Sequence, residues 1–370
     1  MKVKYNYILY FLIFLQGGTV DVTVHKMLED GRVRELYKAT GGAWGGTKVD
    51  EAFIKYFCEM FTKEVIDNVK HEYPDDWVEM MLDFEKIKRK ISLNNDDDFA
   101  QIALRPCIQE VYQEVMNVNL KNAFKNIPGK RGATLNRHKL QIPKTVISEM
   151  IKQVAKSISS HATFLLQQKE NQNLDFIVMI GGFSNSPIVV QEVKDQVSSF
   201  LPVIVPENAE LSVVQGAVMF GWKPDIFKSR KSKRTYGLAF CPFFRENIDP
   251  EYLIFYDDNY VKRCNYRFDK LVSVNEDIEI DHTVKRIQNP SKQNQLSAVI
   301  EIYESEKDEV TYCDEPGTRQ LGSITMPMTD TTGGMNRKVE ITVRFGGTEI
   351  VVNGKDLTTG VDVKAVYDFL

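Results

Sequence analysis

Short apolar runs and longer amphipathic stretches alternate along the first two thirds of the chain. The run 176–180 predicts a buried strand, because it is continuous, apolar and rich in β-branched and aromatic side chains. Gly181 and Gly182 follow it at once, and residues 184–186 can cap a helix that has Pro187 in its first turn. A strand that ends in a glycine turn and a helix N-terminus can bind a ligand, because the helix end offers free N–H groups and a positive dipole. The alternative is an ordinary strand-to-helix connection.

A second apolar run, residues 7–15, precedes a glycine turn that begins at Gly17. Its length favours a buried strand and is too short to span a membrane comfortably. Because Lys2 and Lys4 stand before it, the run also resembles the start of a signal peptide, although no small-residue cleavage site follows. The strand is the preferred interpretation, and the signal peptide stays open as the alternative.

Further elements follow from the same patterns. Residues 22–37 predict a β-hairpin, with its turn at Asp30 and Gly31. The loop 40–47 holds four glycines and opens directly into a helix, an arrangement that suits phosphate binding. Residues 209–221 predict a helix in which Gly216 allows close packing, and a long amphipathic helix is predicted from Pro143.

An amphipathic helix predicted over 76–92 carries a stripe of polar residues opposite its apolar face. Glu85, Lys88, Arg89 and Ser92 share this stripe, because they are spaced three and four residues apart. Such a stripe is usually a solvated surface. It can also be a polar clamp, with Arg89 stacked on a flat base while Glu85 and Ser92 bond to a ribose or to base edges.

The composition shifts at Lys223, and the basic stretch 228–234 predicts a solvated linker. From Thr235 onwards the pattern predicts strands and hairpins, for example over 339–352 with a turn at 346–347. Asn353 and Gly354 predict another hairpin turn. A β-rich module without a catalytic constellation is most simply an interaction domain.

The amino-acid composition of the chain limits the classes of protein to be considered. With 370 residues, 43% of them hydrophobic and 26% charged, the chain is typical of a globular protein of two or three domains. A net charge of −4 gives no reason to expect nucleic acid or an acidic membrane surface as a partner. The five cysteines are scattered and lack CxxC spacing, which favours reduced thiols in the cytosol over disulfides. The five histidines are equally dispersed, so no metal site built on His or Cys is expected.

Four motifs, in this order along the chain, resemble the ATPase domain of the 70-kDa heat-shock proteins and, more closely, the divergent heat shock 70 kDa protein 12-like group. Residues 17–21, Gly-Gly-Thr-Val-Asp, are similar to the second phosphate loop of that family. Residues 41–46 with Asp50 are similar to the glycine loop that follows it. Residues 84–92 are similar to the helix that clamps adenosine, and residues 181–185 are similar to the adenosine loop.

The resemblance implies an α/β fold: the second lobe of an actin-like, ribonuclease H-like ATPase, incomplete, followed by a β-rich, sandwich-like domain. The implied parts are an atypical apolar segment 1–16, a nucleotide-binding lobe 17–224, a basic linker 225–234 and a β-rich domain 235–370. The implied ligand is ATP or ADP, with Mg²⁺ as a candidate companion ion. The residues implied to hold the nucleotide are Gly17, Gly18, Thr19, Asp21, Gly45, Gly46, Glu85, Lys88, Arg89, Ser92, Gly181, Gly182, Phe183 and Asn185.

The chain departs from the family pattern at several positions. Phe14 and Gln16 replace an acidic residue and a glycine of the second phosphate loop, which predicts weakened handling of phosphate and Mg²⁺. Phe183 and Asn185 replace a serine and an arginine, which predicts altered packing of adenine. Only sixteen residues precede Gly17, where the family has a whole lobe with a catalytic lysine and magnesium ligands. Efficient ATP hydrolysis by this chain alone is therefore not expected, and no catalytic residue is assigned.

Three hypotheses follow from the sequence. The first is a divergent chaperone-like protein of the cytoplasm that binds ATP or ADP through the nucleoside half of the cleft and binds protein or peptide partners through its β-rich domain. The second is a non-catalytic scaffold that keeps the fold but has lost the nucleotide. The third is a secreted or membrane-tethered binding protein that uses residues 1–16 as a signal.

Overall fold

The computed structural model describes residues 7–92, 98–171, 173–345 and 347–369. The chain divides into two compact units. Within the described ranges, the first unit comprises residues 8–24 and 39–222, and the second comprises Tyr7, 25–38 and 223–369. The division agrees with the composition shift at Lys223, but it assigns the predicted hairpin turn at 30–31 to the second unit.

The first unit contains all the α-helices of the described residues and eight strands, two of which it shares with the second unit. The helices are α1 Gly46–Phe61, α2 Lys63–Glu72, α3 Pro74–Lys90, α4 Pro106–Met116, α5 Leu120–Phe124, α6 Lys144–Leu166, α7 Pro187–Val197 and α8 Ser212–Trp222. The strands are β1 Ile8–Leu15, β2 Val20–Met27, β3 Val33–Gly42, β4 Phe99–Ala103, β5 Thr134–Asn136, β6 Lys139–Pro143, β7 Phe176–Ile180 and β8 Val203–Ile204.

The preferred interpretation of the N-terminal apolar run as a strand is confirmed, apart from residues 1–6, which lie outside the described residues. Strand β1 pairs in parallel with β7, from Tyr10 opposite Phe176 to Phe14 opposite Ile180. Strand β2 lies on the other side of β1, and β8 lies beyond β7. Because β1 and β7 are parallel, the glycine turns that follow them leave the sheet at the same edge.

Aromatic packing fixes the position of α3 against α1. The rings of Phe53 and Phe84 stack with centroids 3.7 Å apart, and both side chains are fully buried. The helix predicted over 76–92 is thus confirmed as α3. Its packing places Lys88 in contact with the first residues of α1. Among the described residues, no helix is both long enough and apolar enough to cross a lipid bilayer.

The second unit is built from strands, as predicted. Its strands beyond β2 and β3 are β9 Phe227–Lys231, β10 Thr235–Phe240, β11 Ile254–Tyr256, β12 Lys262–Cys264, β13 Arg267–Val272, β14 Asp277–Glu279, β15 Thr283–Gln288, β16 Ser297–Ser305, β17 Thr318–Pro327, β18 Val339–Arg344, β19 Glu349–Asp356 and β20 Asp362–Asp368. Two four-stranded sheets, β13-β10-β16-β17 and β15-β18-β19-β20, contribute to one core, with Leu238, Ile302, Val343 and Val352 among its buried residues.

The basic stretch at 228–234 is not a solvated linker. Residues 227–231 form β9, which pairs with β3 in parallel and with β14 in antiparallel orientation. Ser229 and Arg230 are buried, and the Arg230 guanidinium lies 4.6 Å from the centre of the Phe227 ring. The basic composition of the stretch did not predict a strand. A long basic side chain can bury its stem along an apolar surface, so a high charge does not exclude a packed strand.

The hairpin turn predicted at Asn353 and Gly354 is also wrong. Asn353 and Gly354 lie inside β19, where Gly354 pairs with Ile341 on one side and Val363 on the other. A Cβ atom at Gly354 would come within 2.4 Å of Ile300 Cδ1, so the glycine makes room for a core side chain instead of forming a turn. The turn predicted at 346–347 includes Gly346, which lies outside the described residues.

Helix α8 does not show the packing predicted at Gly216. Within the described part of the chain, nothing lies within 4 Å of the position that a Cβ atom of Gly216 would take. None of the residues 212–222 is buried.

Candidate functional site

The glycine turns after β1 and β7, the start of α1 and the last turns of α3 surround a cavity of about 140 Å³ in the first unit. Ligands of open α/β sheets commonly bind at the carboxyl ends of the strands, where this cavity lies. Its wall is formed by Gly17, Gly46, Thr47, Asp50, Glu85, Lys88, Arg89, Gly182, Phe183 and Ser186.

The structure brings together seven of the residues predicted to hold a nucleotide: Gly17, Gly46, Glu85, Lys88, Arg89, Gly182 and Phe183. The other seven, Gly18, Thr19, Asp21, Gly45, Ser92, Gly181 and Asn185, are not part of the cavity wall. Ser92 instead lines a separate surface pocket with Lys152, Pro187 and Gln191. Thr47 and Ser186 were missed as site residues, although the sequence shows each at the start of a predicted helix.

Lys88 is the central charge of the cavity wall. Its side chain is only 5% exposed, and its ammonium group lies 2.7 Å from Asp50 Oδ1 and 2.5 Å from Glu85 Oε2. It also donates a hydrogen bond of 3.2 Å to the carbonyl of Gly46. The predicted stripe is therefore divided: Lys88 lies on the buried side of α3 and joins α3 to the start of α1.

The pKa values of the two carboxylates that contact Lys88 are shifted in opposite directions. Burial raises the pKa of Asp50 above its ordinary value, and the hydrogen bond from Lys88 offsets only part of this effect. Burial also acts to raise the pKa of Glu85, but hydrogen bonds from Lys88 and Arg89 outweigh it, so that pKa is lowered. The same ammonium group thus contacts one carboxylate whose pKa is raised and one whose pKa is lowered.

Arg89 is the most accessible cation of the cavity wall, with a side chain that is 51% exposed. Its Nε donates to Glu85 Oε1 over 2.7 Å, which orients the guanidinium at the cavity mouth. Asn185 donates a hydrogen bond of 2.9 Å to Glu210. That bond, together with the charge of Arg89, lowers the pKa of Glu210, so Asn185 and Arg89 act on the same carboxylate.

The N-terminus of α1 is engaged by the neighbouring loop. The N–H of Gly46 donates to the carbonyl of Gln16 over 3.3 Å, and the N–H of Thr47 donates to the carbonyl of Gly17 over 2.7 Å. The N–H of Gly45 likewise donates to Gly18. These donors, which the glycine-rich sequence predicts for phosphate binding, are occupied by backbone carbonyls in this structure.

Glycines in the turns serve two different purposes. Gly181 has a φ of +98°, and a Cβ atom there would lie 2.3 Å from the carbonyl oxygen of Leu15. It therefore allows the two parallel strands to approach each other where they leave the sheet. At Gly182, by contrast, no described atom lies within 4 Å of the Cβ position, so this glycine leaves the cavity wall open.

The predicted capping of α7 by serine hydroxyls does not occur. Ser186 is the N-cap residue, but its side chain makes no cap hydrogen bond. Its Oγ is buried and has no hydrogen-bond partner among the residues that the structure describes. Ser184 Oγ donates to the carbonyl of Gly181 over 2.6 Å and so stabilises the turn.

The cavity is small for a ligand site. Its volume of about 140 Å³ is well below the range of about 300–1,000 Å³ that is typical of ligand pockets. The wall combines an aromatic side chain, an accessible guanidinium, a carboxylate and an unsatisfied hydroxyl. No group of three or more His, Cys, Asp or Glu side chains in the described ranges has an arrangement that could hold a metal ion.

Known proteins resemble this chain over most of its length. The model of the Hsp70 protein family matches residues 8–221. The chain is 30% identical over 365 residues to heat shock 70 kDa protein 12A of Mus musculus and of Homo sapiens, and 28% identical to heat shock 70 kDa protein 12B of Homo sapiens. These alignments cover 98% of this chain and 54% of each 12A protein, and 96% of this chain and 53% of 12B.

The family match covers more than half of the chain, which therefore belongs to the Hsp70 protein family. Its likeness to the 12A and 12B group, expected from the four motifs, is confirmed. The fold class is confirmed as well: an actin-like ATPase-type α/β fold is followed by a β-rich region. The chain spans about half the length of the curated relatives that it matches.

Proposed function

We propose that this protein binds an adenine nucleotide, ATP or ADP, through the nucleoside end of the ligand. The observation that carries the proposal is the convergence of Glu85 and Arg89 from α3 with Gly182 and Phe183 from the turn after β7 on one cavity. These elements are about ninety residues apart in the sequence. Each belongs to a motif that resembles the adenosine site of the Hsp70 family.

Each wall residue suits a part of the nucleoside. The exposed guanidinium of Arg89 can stack on the face of a purine, and its contact with Glu85 leaves its remaining N–H donors available. The ionised Glu85 carboxylate can accept hydrogen bonds from ribose hydroxyls. Phe183 adds an apolar surface, and Gly182 allows the ligand to approach the backbone.

Gly17, Thr47 and Lys88 lie on the wall beside the nucleoside half and would face the phosphates, with Mg²⁺ as the ion that accompanies them. A bound nucleotide supplies phosphoryl groups and their charge, and Lys88 is the cation of the wall that can offset that charge. Because Lys88 already contacts two carboxylates, it can contact a phosphate only if the phosphate replaces one of them. We therefore assign the affinity to the nucleoside and no phosphoryl-transfer role to any residue.

The wider role that fits this site is that of a chaperone-like protein of the cytoplasm, with protein or peptide partners for the β-rich unit. The support for this role is the membership of the Hsp70 family and the β-rich architecture from residue 235 onwards. All five cysteines are free thiols, which accords with a reducing compartment.

Isothermal titration calorimetry with ATP, ADP and adenosine tests the proposal on the full chain. The wild-type protein should bind all three ligands with similar affinity, because the contacts lie at the nucleoside end. Arg89→Glu should abolish binding, since it removes the stacking cation and places a carboxylate beside Glu85. Lys90→Glu is the matched control, because it reverses an exposed charge on the same helix outside the cavity wall and should bind as the wild type does.

A folded wild-type chain that binds none of these ligands at millimolar concentration would overturn the proposal. The second candidate function, a non-catalytic scaffold, would then apply. The observation in its favour is that the N–H groups of Gly46 and Thr47 already donate to backbone carbonyls. On that account, the folded chain with alanine at both Lys88 and Arg89 should keep every contact with its protein partners.

A further inference from the structure

The hydroxyl of Ser186 is a polar group in the cavity wall that no described residue satisfies. Ser186 is 1% exposed, so its hydroxyl is also removed from bulk water. A buried hydroxyl without a partner is unfavourable, and native structures seldom keep one unless a ligand or an ordered water satisfies it. Its presence beside a cavity therefore points to a ligand group.

A purely local role for this hydroxyl is not supported by the geometry. Serine at an N-cap usually accepts a hydrogen bond from the first turn of its helix, and Ser186 makes no such bond to α7. A serine hydroxyl can also bond to the backbone of the turn itself, as that of the nearby Ser184 does when it donates to the Gly181 carbonyl. No such bond is made by the Ser186 hydroxyl among the described residues. Ser186 thus has the position of a capping residue, but its hydroxyl remains available.

We propose that Ser186 helps to determine the ligand specificity of this cavity. Its hydroxyl forms a hydrogen bond with a polar group of the bound nucleoside, on the base edge or the ribose. This inference rests on the proposed function and deepens it by one specificity-determining residue. Arg89 can only donate hydrogen bonds, and an ionised Glu85 can only accept them. The Ser186 hydroxyl can do both, and its single side-chain torsion lets it turn towards a ligand without movement of the backbone.

Ser186→Ala tests the inference by calorimetric titration with adenosine. The variant should bind adenosine about 3- to 10-fold more weakly than the wild type, the loss expected for one buried hydrogen bond. Without ligand, its melting temperature should be unchanged or higher, because alanine removes an unsatisfied polar group. A purely structural serine would give the opposite pair of results, a lower melting temperature and an unchanged affinity.

Ser148→Ala is the matched control. Ser148 lies on α6, is 2% exposed, and also has a hydroxyl without a partner among the described residues, but it is not part of the cavity wall. Its removal should leave the affinity for adenosine unchanged. An affinity loss in Ser148→Ala as large as that in Ser186→Ala would overturn the inference, because the effect would then not depend on the cavity.

Titration with 2′-deoxyadenosine, 3′-deoxyadenosine and purine riboside, which lacks the 6-amino group, identifies the ligand group that forms the hydrogen bond with Ser186. For the analogue that lacks the hydrogen-bond partner of Ser186, the wild type and Ser186→Ala should have equal affinities. For the other analogues, the wild type should bind more tightly than the variant. If wild type binds adenosine and the variant matches it within about twofold for every ligand, the inference fails while the proposed function stands. If the folded wild-type protein binds no adenosine at all, both fail.

Discussion

Lys88 and Arg230 are both buried cations in stretches whose charge pattern predicts contact with water, and the structure gives them different surroundings. Lys88, in the first unit, lies between two carboxylates on the wall of a cavity. Arg230, in the second unit, lies over the ring of Phe227 within strand β9. Burial lowers the pKa of the Arg230 guanidinium, and the carboxylate of Glu35 offsets only part of that effect.

The difference shows what makes a buried charge useful for binding. The contacts of Lys88 are ionic and border an open space, so a ligand can replace one of them. The packing of Arg230 against an aromatic ring stabilises strand β9, and Arg230 is not part of the cavity wall around Lys88. Two cations with similar sequence surroundings thus differ in what surrounds them: Lys88 borders a cavity, and Arg230 packs on an aromatic ring.

The largest effect is expected for Lys88→Met, which removes the cation but keeps most of its apolar stem. Asp50 and Glu85 would be left partly buried, with less compensation for their negative charges. The free energy of unfolding should fall by about 2–4 kcal/mol, slightly below the range for fully buried pairs because both carboxylates keep some exposure. Urea denaturation measures this change.

Lys86→Met is the control for that experiment. Lys86 is exposed and pairs with Asp83 on the same helix, so its loss should change the unfolding free energy by less than about 1 kcal/mol. If the two variants are equally stable, Lys88 does not have the central role that the geometry gives it. Adding Asp50→Asn to Lys88→Met should restore part of the stability, because it removes one of the carboxylates that lost its partner.

An intermediate effect is expected from acid, through His25 in the second unit. Burial, with a further contribution from the charge of Arg230, lowers the pKa of His25 to about 4. The unfolded chain binds the proton near pH 6.5, so the stability contributed by neutral His25 is complete above that pH and is lost as the pH falls towards 4. At pH 5 the loss should be about 2 kcal/mol relative to pH 8.

Urea denaturation at pH 8 and pH 5 measures this loss in the wild type and in His25→Gln. The variant should be less sensitive to acid, whereas His71→Gln, which changes an exposed histidine, should behave as the wild type does. Equal acid sensitivity in all three proteins would show that another group is responsible.

The sequence predicted those parts of the fold that depend on local patterns. Strand β7, helix α3 and the β-rich second unit follow from the periodicity of apolar residues, and Glu85 and Arg89 were correctly placed on one helix face. Long-range contacts were not predictable in the same way. Whether Lys88 faces solvent depends on Asp50, which lies 38 residues earlier in the chain.

The same limit explains the glycines. Gly181 and Gly182 look alike in the sequence, but one accommodates the carbonyl of Leu15 and the other borders the cavity. Only the pairing of β1 with β7 separates these roles, because it brings Leu15 beside Gly181. The free hydroxyl of Ser186 could not be predicted either, since its residue type and position are those of a normal helix cap.

The smallest effect is expected for Arg230→Met, which keeps an apolar side chain but removes the guanidinium that lies over the Phe227 ring. A cation–π contact that is removed from water is worth about 2 kcal/mol, and relief of the buried charge offsets much of this loss, so at pH 8 the unfolding free energy should change by about 1 kcal/mol or less. Acid sensitivity should also decrease, because the charge of Arg230 contributes to the low pKa of His25. Adenosine affinity should equal that of the wild type, since Arg230 is not part of the cavity wall. A destabilisation as large as that of Lys88→Met would show that the two cations contribute equally to stability, and the distinction between them would be lost.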